Sequence, residues 1–179
     1  MAKYTQIVIL CEDRQQEVFA RHFLINCGID RHRIRLNVAP IGKGSGEQFV
    51  RQQYPIEVQF YRTHCHRINI ALAVLIDADT ASLTDRFRQL ENELIEASLP
   101  GRQSDEKIGI FIPKRNIETW IHYLQGESVN EMETYPKFER NEGACKPLVA
   151  ELAKNRNNPL PENAPSSLKV ACDELPRIL

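Results

Sequence analysis

Neither sign of charge dominates this sequence: 23 lysines and arginines stand against 24 aspartates and glutamates in 179 residues, for a formal net charge of -1. That balance excludes retention of a polyanion by overall charge, so any contact with nucleic acid has to be local. Long hydrophobic runs are scarce as well. The longest near the N-terminus, residues 7–11, is shorter than the ~7–15 residues of a signal-peptide core and far short of the ~20 of a membrane span. The five cysteines (Cys11, Cys27, Cys65, Cys145 and Cys172) are odd in number, widely spread and form no C-x-x-C pair. This speaks against a disulfide framework and against a structural zinc knuckle. No G-x-x-x-x-G-K-[ST] motif is present, so the chain alone cannot hydrolyse ATP through a P-loop. The sequence contains no internal repeat. It reads as a soluble, cytoplasmic protein without a membrane segment.

What is present suffices for one ordinary domain, with 42% apolar and 26% charged residues. Residues 7–11 form a β-branched apolar run that fits a strand buried on both faces of a sheet. From 14 to 27 the apolar residues Val18, Phe19, Phe23, Leu24 and Cys27 recur at three- and four-residue spacings, which predicts a helix closed by Gly28. Residues 33–39 alternate polar with apolar, as an edge strand does, and lead to the only Gly-rich loop, 42–46. A weaker helical pattern over 47–67 is broken near Pro55. Residues 70–76 are the most apolar stretch and stop abruptly at Asp77, which predicts a central parallel strand. A helix over 83–97 follows, with Phe87, Leu90, Leu94 and Ile95 on one stripe, then a strand over 108–113 and a helix from 117 to 124. The alternation predicts an α/β fold, a mostly parallel Rossmann-like sheet flanked by helices over residues 1–124. Residues 125–179 read as a small helical and irregular extension packed on it, with a helix over 144–154 and a last short helix from 166 capped by Ser166 or Ser167.

Carboxylates gather where such a sheet binds ligands, at the carboxyl ends of its strands. Glu12 follows the first strand, Asp77 and Asp79 the third, and Glu118 the fourth. Extended geometry points Asp77 and Asp79 to the same side across the small Ala78, a spacing that suits a hard divalent ion, which takes one or two carboxylates plus water and substrate phosphate. A neighbouring Glu would then bind the ion or carry a proton, while Lys114 and Arg115 offset charge on phosphorus. Acids at strand-to-helix junctions also cap helices, and Asp79 before Thr80 fits that role equally. Cys11, inside an apolar strand and beside an acid, reads as core rather than nucleophile.

The segments Ile-Leu-Cys-Glu-Asp at 9–13 and Leu-Ile-Asp-Ala-Asp at 75–79 resemble the motifs of Toprim domains, the metal-binding α/β module of topoisomerases, primases and nucleases of the overcoming-lysogenization-defect class. The resemblance covers about residues 4–124. It extends to Lys114, Arg115 and Glu118, similar to the basic and acidic residues after the next strand in the defence-type nucleases. It implies Mg²⁺ or Mn²⁺ as cofactor, Asp77 and Asp79 as metal ligands, and Glu12 as metal ligand or general acid/base. It further implies Glu118 as a second acid and Lys114 as transition-state stabiliser. Nucleic acid would be the substrate, in a prokaryotic defence role beside an ATPase subunit. Where many of these domains place Gly after the first Glu, Asp13 stands here.

Two further features bear on phosphate. The loop 42–46, with Lys43 and Ser45, offers backbone N–H groups at the start of a helix. Between residues 31 and 67 seven basic residues, Arg51 among them, face only Glu47 and Glu57, a local excess able to hold a nucleic-acid backbone beside an acidic site, together with Arg115. Two other readings are compatible with the same residues: a non-catalytic partner or regulatory subunit of Toprim-like fold, and a metal-dependent small-molecule phosphohydrolase.

Overall fold

The computed structural model describes residues 4–179. Four strands, β1 (Gln6–Cys11), β2 (Ile34–Val38), β3 (Ile70–Leu75) and β4 (Ile108–Phe111), form one sheet in the order β2-β1-β3-β4. All three pairings are parallel. Six helices flank the sheet: α1 (Arg14–Asn26), α2 (Gly46–His64), α3 (Leu83–Glu96), α4 (Ile117–Leu124), α5 (Lys146–Lys154) and α6 (Ser166–Glu174). The architecture is α/β and Rossmann-like, as the alternation of elements predicts. No helix of the described residues is long and apolar enough to cross a membrane.

Period-two alternation divides the central strands between two cores. Ile7, Ile9, Cys11, Ala71, Ala73 and Leu75 face α1 and α4–α6, where Phe19, Phe23, Trp120, Val149 and Leu168 meet them. Val8, Leu10, Leu72, Val74 and Ile76 face α2 and α3, against Val50, Tyr54, Val58, Leu90 and Leu94. Right-handed crossovers produce this split, because the chain reverses direction across the sheet after β2. Helix α1 ends in a left-handed Gly28 (φ +93°), with Ile29 N–H bonded to Leu24 C=O at 3.0 Å, the Schellman arrangement that glycine favours.

Three local expectations are corrected. The pattern over 47–67 is not broken at Pro55, since α2 runs unbroken through it. An interior proline costs about 3 kcal/mol, but Val50, Tyr54 and Val58 on the same helix are fully buried against the sheet, and that packing holds the turn in place. Ser166 and Ser167 do not cap the last helix, whose cap position is Pro165. Ser167 Oγ instead accepts from Trp120 Nε1 at 2.8 Å and donates to Glu131, tying residues beyond 125 to α4. The stretch predicted as a helix over 144–154 starts as a 3-10 turn (Glu142–Cys145) and becomes α-helical at Lys146.

The sheet has two edges, and β4 is closed by an ion pair rather than by another strand. Arg102 Nη1 donates to Ile108 C=O (3.0 Å), Glu174 Oε2 accepts from Ile110 N–H (2.9 Å), and the two side chains pair at 2.5 Å. They satisfy the groups a fifth strand would otherwise use, so the edge offers no template for aggregation. Replacing Glu174 by Ala leaves Ile110 N–H unpartnered and a mostly buried guanidinium without its carboxylate. The expected cost is about 1–3 kcal/mol, read in a thermal melt as a fall in Tm of roughly 2–12 °C. A melt indistinguishable from the wild type would show that this pair does not protect the edge.

Candidate functional site

The strand order reverses between β1 and β3, and in sheets of this kind that switch point, outside the carboxyl ends, is where ligands bind. Parallel pairing up to Leu10↔Val74 brings the residues after each strand together there. Glu12 and Asp77 meet directly, with Glu12 Oε1 accepting Asp77 N–H at 2.5 Å. Gln16, fully buried in the first turn of α1, joins the same two residues. Its Oε1 accepts from Glu12 N–H (2.9 Å) and its Nε2 donates to Asp77 Oδ1 (2.9 Å). A backbone N–H can only donate and a carboxylate only accept, so the amide has one orientation that satisfies both. Asp13 caps α1 by accepting from Gln16 N–H at 2.9 Å.

The second core also reaches this point. Gly46 opens α2 so close to Glu12 that a Cβ there would lie 2.8 Å from Glu12 Cβ and from Glu12 O. Only glycine lets the helix start against that backbone. Arg86 of α3, 5% exposed, donates to Glu47 Oε1 (2.5 Å), Gln89 Oε1 (2.7 Å) and Ala78 C=O (3.2 Å) and pairs with Asp79 at 3.5 Å. Its Nε is buried without a partner.

Burial makes the charged forms of Glu12, Asp77 and Glu118 less favourable than in water. Burial, then the charges of Asp79 and Asp13, push Glu12 up to about 8, against the opposing pull of the Asp77 N–H bond and Arg86. Asp77, 6% exposed, is pushed well above the usual carboxylate range by burial first and then by Glu12, Asp13 and Glu118. Glu118, at the start of α4, is raised by burial and by Asp13, with Lys137 and His122 acting the other way. Burial also raises the Cys11 thiol, which lies in the core beneath Glu12.

Asp79 departs from its expected placement. The extended geometry that would align it with Asp77 ends with β3, and Asp79 is left-handed (φ +52°), its side chain 61% exposed. It is not a helix cap either, because α3 begins at Leu83 with Ser82 as its cap. Asp79 N–H bonds to the carbonyl of Arg115 at 3.0 Å, and Arg115 is itself left-handed (φ +64°). Two non-glycine residues in this conformation facing each other mark a rim held against local preference.

The basic candidates are mostly engaged inside the protein. Lys114 Nζ donates to Ala81 C=O, which fixes the turn after Asp79. Arg51 pairs with Glu47 and Glu93 (2.5 and 2.9 Å), and Ser45 Oγ caps α2 by accepting from Gln48 N–H (3.3 Å). Lys43 lies exposed on the loop before α2, and Arg115 Nε is buried without a partner. Sequence reasoning missed Gln16, Arg86 and Lys137. The first two had a signal, being polar residues on the inward stripes of their helices, Gln16 with Phe19, Ala20 and Phe23, and Arg86 with Leu90 and Leu94.

The chain matches no family model, no curated protein and no solved structure. Among the described residues no group of three His, Cys, Asp or Glu side chains is gathered for a metal ion. Two hard carboxylate donors do come together, Glu12 and Asp77, each destabilised in its charged form by burial and by its neighbours. That donor set fits a Mg²⁺-type ion, which takes one or two carboxylates and keeps several waters, and does not fit a cage of protein ligands.

The raised Glu12 has a consequence for stability. A carboxyl raised in the folded state favours folding while protonated, and that contribution is lost as pH rises from its ordinary value, 4.5, through about 8. Glu12→Gln, which mimics the protonated form, is expected to melt like the wild type at pH 5 in chelator. By pH 8.5 it melts higher by at least about 2–4 °C, the shift that ~1 kcal/mol gives in a chain of this size. Equal melts at both pH values would contradict the electrostatic account.

Proposed function

We propose that this chain is a divalent-cation-dependent phosphodiesterase that cleaves or nicks nucleic acid at the β1/β3 switch point. The observation that carries the reading is the joining of Glu12 and Asp77, from the ends of two adjacent central strands, through one hydrogen bond and one buried glutamine. The likeness of residues 9–13 and 75–79 to Toprim motifs supports the same assignment. Glu12 and Asp77 hold Mg²⁺ or Mn²⁺ from the inside, with Asp79 on the open side. When bound, the ion supplies Lewis acidity toward a phosphoryl oxygen.

The remaining chemistry belongs to the chain. Glu118, buried and raised, carries a proton under conditions where an ordinary glutamate has lost it, which suits transfer to or from a phosphate ester oxygen. Gln16 fixes how both inner carboxylates are turned. Lys114 holds the 78–82 turn and brings positive charge to the rim, joined there by Arg115. Lys43, on its exposed loop after the carboxyl end of β2, supplies positive charge on the same rim for a phosphate backbone, whereas Arg31 and Arg33 precede β2 and lie at the opposite end of the sheet. Cys11, Cys65, Cys145 and Cys172 are in no disulfide, in keeping with a reducing, cytoplasmic setting. A separate ATPase subunit of a defence system is the partner the family resemblance suggests.

A second reading, a non-catalytic Toprim-like subunit, is favoured by the internal engagement of Ser45, Arg51 and Lys114. Cleavage of supercoiled plasmid and single-stranded RNA in Mg²⁺, Mn²⁺ or chelator separates the two. The first reading predicts metal-dependent cleavage, reduced about 10²–10⁴-fold in Glu12→Gln and Asp77→Asn. It also predicts a loss of about 10–100-fold in Gln16→Ala, which leaves the carboxylates in place but unoriented. Cleavage that persists in chelator or in both carboxylate variants overturns it, and metal and nucleic-acid binding without cleavage supports the second reading.

A further inference from the structure

On the other side of the molecule from the α2–α3 layer, between the sheet and the C-terminal helices, lies a cavity of about 150 Å³. Phe19, Phe23, Leu75, Phe111, Trp120 and Leu168 form its apolar wall, and none of the carboxylates at the strand ends lines it. Cys172 is also in the wall, with its thiol pushed up by burial and so neutral. The exposed segment 155–161 borders the cavity and supplies its few polar neighbours, Asn155, Arg156 and Asn158.

A cavity of this size with such a lining stays dry and takes up a hydrocarbon of about benzene's bulk, because a water inside would find no polar partners. A chain of about six to eight carbons has the corresponding volume. The border sets the head group. Asn155 Nδ2 is occupied by Glu151 (2.7 Å to Oε1) and Asn158 Nδ2 by Asn155 Oδ1 (3.4 Å). The Arg156 guanidinium donates one hydrogen bond, from Nη1 to Ala153 C=O at 3.0 Å, and no carboxylate of the described residues pairs with it. Its guanidinium is therefore an exposed planar donor at the edge of an apolar chamber, a geometry matched by a carboxylate.

We propose that this cavity is a binding site for a medium-chain carboxylate, with the alkyl chain among Phe19, Phe23, Trp120 and Leu168 and the head group on Arg156. The site is separate from the carboxylate pair, so it stands whether or not the chain cleaves phosphodiesters. Trp120 is the only tryptophan, and its emission reports directly on occupancy.

The test titrates the full chain with sodium octanoate, octylamine and octanol while following tryptophan emission. The expected result is a saturable change with octanoate and at least tenfold weaker binding of octylamine. Arg156→Glu, an exposed substitution, is expected to weaken octanoate at least tenfold and leave octanol unchanged. Ala171→Leu fills the cavity from α6, and Ala20→Leu fills it from α1 should the first fail to fold; either abolishes the signal. Glu12→Gln binds octanoate as the wild type does. No saturable change with octanoate, equal affinity for octylamine, or binding that survives both Arg156→Glu and a folded cavity-filling variant would overturn the proposal.

Discussion

Two carboxylates forced together in a place with little water are the constraint from which the rest of the switch point follows. Parallel pairing of β1 with β3 fixes where Glu12 and Asp77 leave the sheet, and neither can turn away, because each is bonded to the other's segment or to Gln16. Left charged and alone, such a pair would be costly to bury. The surroundings meet that cost in three ways visible in the structure. Protonation is favoured for both acids, hydrogen bonds reach both, and Arg86 places a buried positive charge near Glu12 and Asp79. A bound cation would be a fourth.

Elements far apart in sequence serve this one point. Helix α1 contributes its first turn through Asp13 and Gln16, α2 its glycine start against Glu12, α3 the guanidinium of Arg86, and α4 Glu118. Even the region beyond residue 125 reaches it, through Lys137 acting on Glu118. The two cores therefore do more than fill space: the α2–α3 layer carries Gly46 and Arg86, and the α1–α4 layer carries Gln16 and Glu118, so packing on either face aims groups at the same rim. The opposite concern, exposed strand edges, is met at β4 by Arg102 and Glu174 without any further strand.

Much of this was legible in the sequence where a single physical signal decides. Runs of buried β-branched residues marked β1 and β3, and abrupt polar endings marked Glu12 and Asp77. Legibility failed where two effects compete. Pro55 reads as a helix breaker until the packing of Tyr54 and Val58 on the sheet is known. Asp79 reads as aligned with Asp77 only while the chain stays extended, and its left-handed turn is imposed by pairing with Arg115 across a separation that no local pattern reveals. Lys114 and Arg51 read as free groups because Ala81 and Glu93 become their neighbours only in the folded chain, whereas the Arg51 pair with Glu47 and the Ser45 cap on Gln48 N–H are local to α2.

The central claim is that Glu12 and Asp77 form a cation site whose charge is suppressed until the ion arrives. Isothermal titration of Mn²⁺ at pH 7, repeated in buffers of different ionisation enthalpy, tests it most directly, because a metal can displace the proton that a carboxyl raised to about 8 retains. The account predicts binding with release of about one proton or more per ion, because Glu12 and Asp77 are both raised, and loss of that binding in Asp77→Asn. Absence of binding, or binding with no proton released and unaffected by that substitution, would contradict it.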